Sequence, residues 1–259
     1  MTIYTFNVNG IRAAVRKGFL NWLQSAMPDL VCLQEIKATI EQLPLDELKR
    51  LGYYVYVNSA DKKGYSGVAV LSLMPAERIE VSLGHQTLDS EGRVIVLEYS
   101  DFTLCNAYFP SGTTPERQAL KMTFLPAFER MTTLLNRSKP LVVTGDFNIC
   151  HLDIDIHDPK RNANTPGFLP EERRWLDGFI ANSFVDGVRK YHQEPNFYSW
   201  WSYRSMARDR NKGWRIDYVL VDERISDCVI NSGHDFDVHH SDHCPVWVSV
   251  NIQPPKVIK

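Results

Sequence analysis

Residues 141–149 read LVVTGDFNI, a run of apolar strand formers that ends on Gly145-Asp146-Phe147-Asn148. In an extended chain alternate residues share a face, so Asp146 and Asn148 point together. A carboxylate and an amide held side by side suit the positioning and deprotonation of a water, although both residues are also common in plain strand-to-loop turns. Other apolar runs end alike. IYTFNVN delivers Asn7 and Asn9, LVCLQE delivers Gln34 and Glu35, TLCNAYF delivers Tyr108, and SDHCPVWV opens on Asp242 and His243. Singly, each has a plainer role: a turn cap for Asn7, a solvated strand end for Glu35, a half-buried aromatic for Tyr108, a satisfied polar residue for His243. Jointly, carboxylates, amides, a phenol and an imidazole are the groups that metal-assisted phosphoester hydrolysis requires. Asp217, inside RIDYVLV, is an acid in an apolar run and needs a partner, for which Arg215 is the nearest in sequence.

These groups meet only if the runs that carry them are strands ending at one edge. IYTFNV, LVCLQE, GVAVLS, RVIVLEY, FTLCNAYF, LVVTGDF, IDYVLVD and CPVWVSV all read as short strands, separated by turn-rich segments rather than by a helix every time. Helical spacing is confined to residues 16–26, where Phe19, Leu20, Trp22, Leu23 and Ala26 fall on one side, and to residues 115–136 and 170–182. Pro115 and Pro170 suit first helical turns. Runs such as VIVLEY scarcely alternate, which implies sheets buried on both faces. The expected architecture is therefore α/β, with two mixed sheets packed together and helices on the outer faces. No linker or repeat divides the chain, so residues 1–252 are expected to form one domain, with QPPKVIK (253–259) a loose tail.

A chain of 259 residues with 44% apolar composition can build a large core. No apolar stretch approaches the roughly 18 residues of a membrane span, and no signal pattern opens the chain. The five cysteines form no C-x-x-C pair and sit mostly in apolar runs, which favours buried thiols over a disulfide or zinc framework. A cytoplasmic protein is expected. The net charge of −2 excludes a generally basic molecule, so any polyanion must meet a local patch. FYSWWSYRSMARDRNKGWRIDY (197–218) supplies one by interleaving Trp and Tyr with Arg204, Arg208, Arg210 and Lys212, as stacking and phosphate tracking on nucleic acid would need. Trp200 and Trp201 are adjacent and face opposite ways, so one of them needs an outlet.

From Ile3 to Val250 the chain resembles the exonuclease III-type apurinic/apyrimidinic endonucleases, within the wider superfamily of DNase I and the inositol polyphosphate 5-phosphatases. FNVNGIRA, PDLVCLQEIK, GYSGVAVLS, EGRVIVLEY, GDFNICHLDID, GWRIDYVL and SDHCPV stand in that family's order. The resemblance implies a four-layered, DNase I-like α/β sandwich with its site at one end of the sheets. It implies a DNA repair nuclease that cuts the phosphodiester 5′ to an abasic site in duplex DNA, with some 3′→5′ exonuclease and 3′-end-cleaning activity. Magnesium is the expected cofactor, with manganese as a substitute, and the enzyme is expected to act as a monomer.

Carried over residue by residue, Glu35 is the first metal ligand, Asn7 orients it, and Asp242 is an outer ligand or a supporting group. Asp146 would deprotonate the attacking water and Asn148 would hold that water or a phosphate oxygen, and both join Glu35, Asn7 and Asp242 in the expected metal-binding set. His243 would donate to phosphate with Asp217 orienting its ring, and Tyr108 would serve the scissile phosphate or the leaving oxygen. Trp200, Trp214 and Ile216 are expected to line a pocket for a flipped abasic sugar. Arg204, Asn162, Gly167 and Asn9 are the further substrate contacts, although Gly167 in NTPGFLP also reads as an ordinary turn glycine. Asn9 stands where some relatives carry Asp, and YFPSGTTPERQ lacks the Asn and Arg that some relatives place after Tyr-x-Pro. A phosphatase of the same superfamily and a catalytically silent DNA-binding module are the alternatives, which the aromatic-basic stretch and the filled chemical positions disfavour.

Overall fold

The computed structural model describes residues 1–252, and the expected 253–259 tail lies outside the described residues. Strands β1 (Thr2–Asn7), β2 (Leu30–Gln34), β3 (Tyr54–Asn58) and β4 (Val68–Ser72) come first, with helices α1 (Ile11–Arg16), α2 (Phe19–Ala26) and α3 (Leu45–Arg50) between them. There follow β5 (Arg78–Glu80), the short helix α4 (Gln86–Asp89), β6 (Val94–Glu98), β7 (Thr103–Tyr108), α5 (Pro115–Leu135) and β8 (Leu141–Asp146). The remainder holds α6 (Pro159–Asn162), α7 (Pro170–Ala181), β9 (Phe184–Asp186), β10 (Asp217–Asp222), β11 (Val229–His234) and β12 (Val246–Val250). Pro115 and Pro170 open their helices as the sequence predicts.

Two six-stranded sheets run in the orders β11-β12-β1-β2-β4-β3 and β5-β6-β7-β8-β10-β9. Only the central pairs β1–β2 and β7–β8 are parallel. Ile3, Leu30, Cys32, Val68 and Val70 of the first sheet interleave with Ile95, Leu97, Leu104, Val142 and Val219 of the second. Outside the first sheet, Phe6, Val31 and Leu33 pack on Ile11, Phe19, Leu23 and Leu48 of α1–α3. Outside the second, Val96, Cys105, Val143 and Leu220 pack on Phe124, Phe128, Leu176 and Phe179 of α5 and α7. The result is the expected four-layered sandwich, and burial on both faces explains why its strands read as unbroken apolar runs.

The topology decides where polar groups collect. Because β1 and β2 are parallel, Asn7 and Gln34 finish in register, and Glu35 is the next residue. Tyr108 and Asp146 finish in register on β7 and β8. Antiparallel β10 begins at that same end, with Asp217 opposite Asp146. Antiparallel β12 follows His243 and pairs Val246 with Thr5 of β1. Six groups from six chain segments are thus delivered to one end of the sandwich.

Two local expectations are corrected. The helix predicted over residues 16–26 is split into α1 and α2 by Lys17-Gly18, where Gly18 is left-handed (φ 107), and Ala26 is exposed rather than on the packed side. The strand through Asp146 does not continue to Asn148. Asn148 is left-handed (φ 51), so the two side chains meet through a turn rather than by alternation along a strand.

Candidate active site

Gly145 makes the approach of β8 to β7 possible. Its φ is +143, and a Cβ there would stand 1.8 Å from the Ala107 carbonyl oxygen. Beyond it, the Asp146 carboxylate is buried and fixed from two sides. The Asn148 backbone N–H donates to Oδ1 (2.9 Å) and Asn7 Nδ2 donates to Oδ2 (2.8 Å). The Asn148 side chain donates to the Phe109 carbonyl (3.0 Å), so its amide is held beside Asp146.

Asn7 also donates to Glu35 Oε1 (3.1 Å), and the Tyr108 hydroxyl donates to the same oxygen (2.7 Å). Glu35 Oε2 pairs with Lys37 Nζ at 2.8 Å, and Lys37 also donates to Asn9 Oδ1 (2.6 Å). Burial works against the Glu35 charge, but Lys37, Tyr108 and Asn7 together outweigh it, and the carboxyl sits below its ordinary range. Tyr108 was expected to serve the phosphate; its one proton is given to Glu35, and burial, reinforced by Glu35, keeps the phenol protonated.

His243 Nδ1 lies 2.8 Å from Asp217 Oδ2, and its Nε2 points toward Asp146 Oδ2 at 3.9 Å. This settles the partner of Asp217. Arg215 is engaged elsewhere, with Asp155 and Asp186. Ser199 Oγ donates to Asp217 Oδ2 (2.6 Å) and accepts from the Ile216 and Asp217 backbone N–H groups. Burial opposes charge on His243, but Asp217, aided by Asp146 and Asp242, raises it to about 10. Burial raises Asp146 to about 7; the positive His243 holds it down and Asp217 adds to the rise.

Asp242 accepts from Asn9 Nδ2 (3.0 Å) and Ser241 Oγ (3.1 Å) on one oxygen and from Trp200 Nε1 (3.0 Å) on the other. It therefore ties the polar cluster to an apolar wall. Trp200 and Trp214 bond backbone to backbone, Trp200 bridges to His243, and the two indoles meet edge to face at 5.7 Å. Behind them lie Cys150, Ile156, Phe168 and Ile216. Trp201, the adjacent indole, is buried on the other side, as the opposed faces require. Glu35, Tyr108, Asp146, Asn148, His243 and Asp242 share with Trp200, Trp214 and Ile216 one cleft of ≈ 450 Å³. Gly167 is more than a turn residue: φ is +95, and a Cβ would stand 2.8 Å from Trp214 Cζ3 and 3.0 Å from the Asn148 carbonyl oxygen.

Not every expected residue reaches the cleft. Asn162 spends its amide on the His157 and Asp158 carbonyls and braces the loop that leads to Gly167. Arg204 is exposed on a 3-10 turn, away from the cleft lining. Arg208, expected in the basic patch, stacks over Trp201 and Phe236 and donates to the Phe236, Val238 and Ser241 carbonyls. Lys37 and Ser199 were not singled out from the sequence. A lysine two residues past the strand-end Glu35 was the available signal for the first; nothing marked the second.

Asp146, Asp217 and His243 bring polar atoms within 4.8 Å of one another, but the charged His243 offers no lone pair, so the donors left for a cation are the carboxylates of Asp146 and, in the same cleft, Glu35 and Asp242. Asp217 Oδ1 is buried and has no hydrogen-bond partner among the described residues. Oxygen donors of this kind fit a hard divalent cation better than a thiolate-seeking metal. Fold and site together define a metal-dependent phosphoester hydrolase. Residues 4–249 match the Endonuclease/Exonuclease/phosphatase family, and the chain belongs to it. An exodeoxyribonuclease of Bacillus subtilis (strain 168) is 40% identical over 97% of this chain and 100% of its own. The DNA repair nuclease APEX1 of Danio rerio is 35% identical over 95% of this chain and 81% of its own. A Neisseria 3′ phosphatase solved bound to a product DNA hairpin superposes with a TM-score of 0.90 at 27% identity, covering 97% of this chain and 100% of that one.

Proposed function

We propose that the chain is a DNA repair nuclease that hydrolyses the phosphodiester 5′ to an abasic site, with 3′→5′ exonuclease and 3′-end-cleaning activity at the same centre. One observation carries the reading: a buried carboxylate of raised pKa and a charged imidazole face one another 3.9 Å apart, beside an apolar wall of two indoles. The first two suit phosphodiester hydrolysis, and the wall suits a sugar without its base.

Glu35 is the residue that would hold magnesium, or manganese in its place, with Asn7 and Asp242 as supports, which leaves Asp146 available as the base. When bound, such a cation supplies charge neutralisation at phosphate and acidifies the attacking water. Asp146, raised to about 7, is able to accept a proton at neutral pH, unlike a free Asp near 3.9. Asn7 and the Asn148 N–H aim its two oxygens. Asn148 would hold the attacking water or a phosphate oxygen. His243, kept charged by Asp217, donates from Nε2 to a non-bridging phosphate oxygen as negative charge grows there. Tyr108, in the cleft lining, holds Glu35 and would serve the scissile phosphate or the leaving oxygen from there.

Extruding an abasic sugar costs less than unstacking a paired nucleotide by a few kcal/mol, and an intact base would meet Trp200, Trp214 and Ile216. Asn9 and Gly167 contribute by placing Asp242 and Trp214; Asn162 and the exposed Arg204 belong to the outer approach of the DNA. Residues 1–252 act as one domain and as a monomer. The free thiols Cys32, Cys105, Cys150 and Cys244, all buried, agree with a reducing, cytoplasmic setting. Among the described residues no helix is long and apolar enough to cross a membrane. The test is cleavage of an abasic-site duplex, a 3′-blocked duplex and an undamaged duplex, each with magnesium and with chelator. Cleavage of the first in preference to the third, lost with chelator, supports the reading. Intact strands throughout would favour a silent DNA-binding module, and turnover of soluble phosphate esters alone would favour a phosphatase.

A further inference from the structure

Lys121 on α5 and Glu172 in the first turn of α7 form an ion pair at 2.7 Å in which neither side chain is exposed to solvent. An ion pair that merely staples two helices would end on those helices. This one ends on the cleft. Lys121 Nζ donates to the carbonyl oxygen of Asn148 (2.9 Å), the residue whose N–H and side chain hold Asp146. Glu172 Oε2 accepts from the backbone N–H groups of Gly167 (2.7 Å) and Leu169 (3.0 Å), and Gln118 donates to Oε1 (3.0 Å). Gly167 in turn lies so close to both the Asn148 carbonyl and the Trp214 ring that a single added carbon would strike each of them. The pair thus sits behind two loops in direct contact, one carrying Asp146 and Asn148, the other supporting Trp214.

We propose that Lys121 and Glu172 are positioning residues that fix the spacing between the Asp146–Asn148 turn and the Gly167–Trp214 wall of the cleft, and so set the attacking water against the bound sugar. The proposal rests on the function argued above. Its physical basis is that a buried charge pair whose remaining bonds go to three backbone groups and the Gln118 amide has one geometry, because any slippage leaves an ammonium or a carboxylate unpaired in a dry interior. Backbone atoms held in this way move only if the pair moves.

The decisive variant is Lys121→Met/Glu172→Gln, which removes both charges, roughly preserves volume and keeps a carbonyl to accept from Gly167. Steady-state kinetics on the abasic-site duplex are measured beside hydrogen exchange and thermal unfolding. A misplacement of the order of 1 Å at a reacting centre costs about a hundredfold, so kcat is expected to fall by roughly tenfold to a hundredfold while KM moves by less than about threefold. Exchange should rise together in residues 145–150 and 165–169, with the middle of α5 and of α7 unchanged. A folded variant with wild-type kcat, whatever its melting temperature, would overturn the proposal, as would faster exchange confined to the helices. Glu172→Gln alone serves the same comparison should the double variant fail to fold. If the wild-type protein degrades 3′ ends but ignores abasic sites, the substrate reading fails separately; kcat is then compared on the 3′-recessed duplex and the exchange criterion stands as it is.

Discussion

Asp217→Asn tests the electrostatics of the site most directly, because the change is isosteric and its consequence depends on pH. In the wild-type protein Asp217 lies 2.8 Å from His243 Nδ1 and is the chief cause that raises the imidazole to about 10. The sign is that of a raised base: His243 is charged at every pH below that value and loses its charge only above it. Without the carboxylate, burial acts unopposed by its main counterweight, and His243 returns to the ordinary histidine value of about 6.5 or below. At pH 6 about three quarters of the molecules would still carry the charge, whereas at pH 8 only about 3% would. If the protonated ring is the phosphate donor, the variant's rate relative to wild type should be about twenty-five-fold lower at pH 8 than at pH 6. Asp146 does not mask the effect. At pH 6, where most His243 is still charged and holds Asp146 down, loss of Asp217 lowers the Asp146 carboxyl and frees the base; at pH 8 the discharged His243 no longer holds it down, so both effects widen the gap. The assay is single-turnover cleavage of an abasic-site duplex from pH 5.5 to 8.5, with the His243 ring titrated by NMR in parallel. An equal loss at both pH values would show that Asp217 only orients the ring, and an unshifted imidazole would refute the electrostatic account itself.

Asp146→Asn should keep the fold and DNA binding while single-turnover cleavage falls at least about a hundredfold, the usual scale for losing a general base; near-wild-type cleavage would remove Asp146 from that role. Trp214→Ala should lower abasic-site cleavage and raise the relative rate on undamaged duplex with little change in melting temperature, because the indole is partly exposed in the cleft wall; a core tryptophan would instead lose roughly 3–5 kcal/mol with the rate ratio unmoved. Asp155→Asn should cost about 3 kcal/mol at pH 7, measured by urea denaturation, since it leaves the buried Arg215 with Asp186 as its remaining carboxylate and takes the carboxylate from the nearby Arg189. Burial works against the Asp155 charge, yet Arg215 and Arg189 hold its carboxyl below the usual range, so its contribution is complete above the unfolded value of about 3.9 and is lost as pH falls. The stability gap between variant and wild type should therefore narrow toward pH 3; a constant gap would place its origin in packing.

What was legible in the sequence follows from what burial does to side-chain choice. Strands covered on both faces, such as β6 and β8, must be apolar throughout and announce themselves; the polar residue at the end of such a run is then conspicuous, which is how Asn7, Glu35, Tyr108, Asp146 and Asp217 stood out. Edge strands carry no such signal. The β5 strand RIE is largely exposed, and β11, VINSGH, exposes its second and third residues, so neither shows a run or a clean alternation. Charge was equally ambiguous: Arg208 and Arg204 lie four residues apart in a basic stretch, yet one guanidinium is consumed by backbone carbonyls and the other is exposed, a distinction made wholly by what packs opposite. The least legible feature is also the one that shapes the site. Asn9, Glu35, Lys37 and Asn148 all have left-handed backbones, which Asn adopts readily and which cost Glu and Lys about 1 kcal/mol or more each. No local pattern favours that conformation at Glu35 or Lys37. It is imposed from outside by Gly10 N–H on the Glu35 carbonyl, by the Lys37 N–H on the Ser66 carbonyl, and by the ion pair between the two side chains. Continued as a strand, β2 would send residue 35 to one sheet face and residue 37 to the same face two positions farther on. The left-handed turns instead fold Lys37 back onto Glu35 and bring that carboxylate beside Asn7 and Tyr108, so the backbone strain at these positions is what converts parallel strand ends into a single polar cluster.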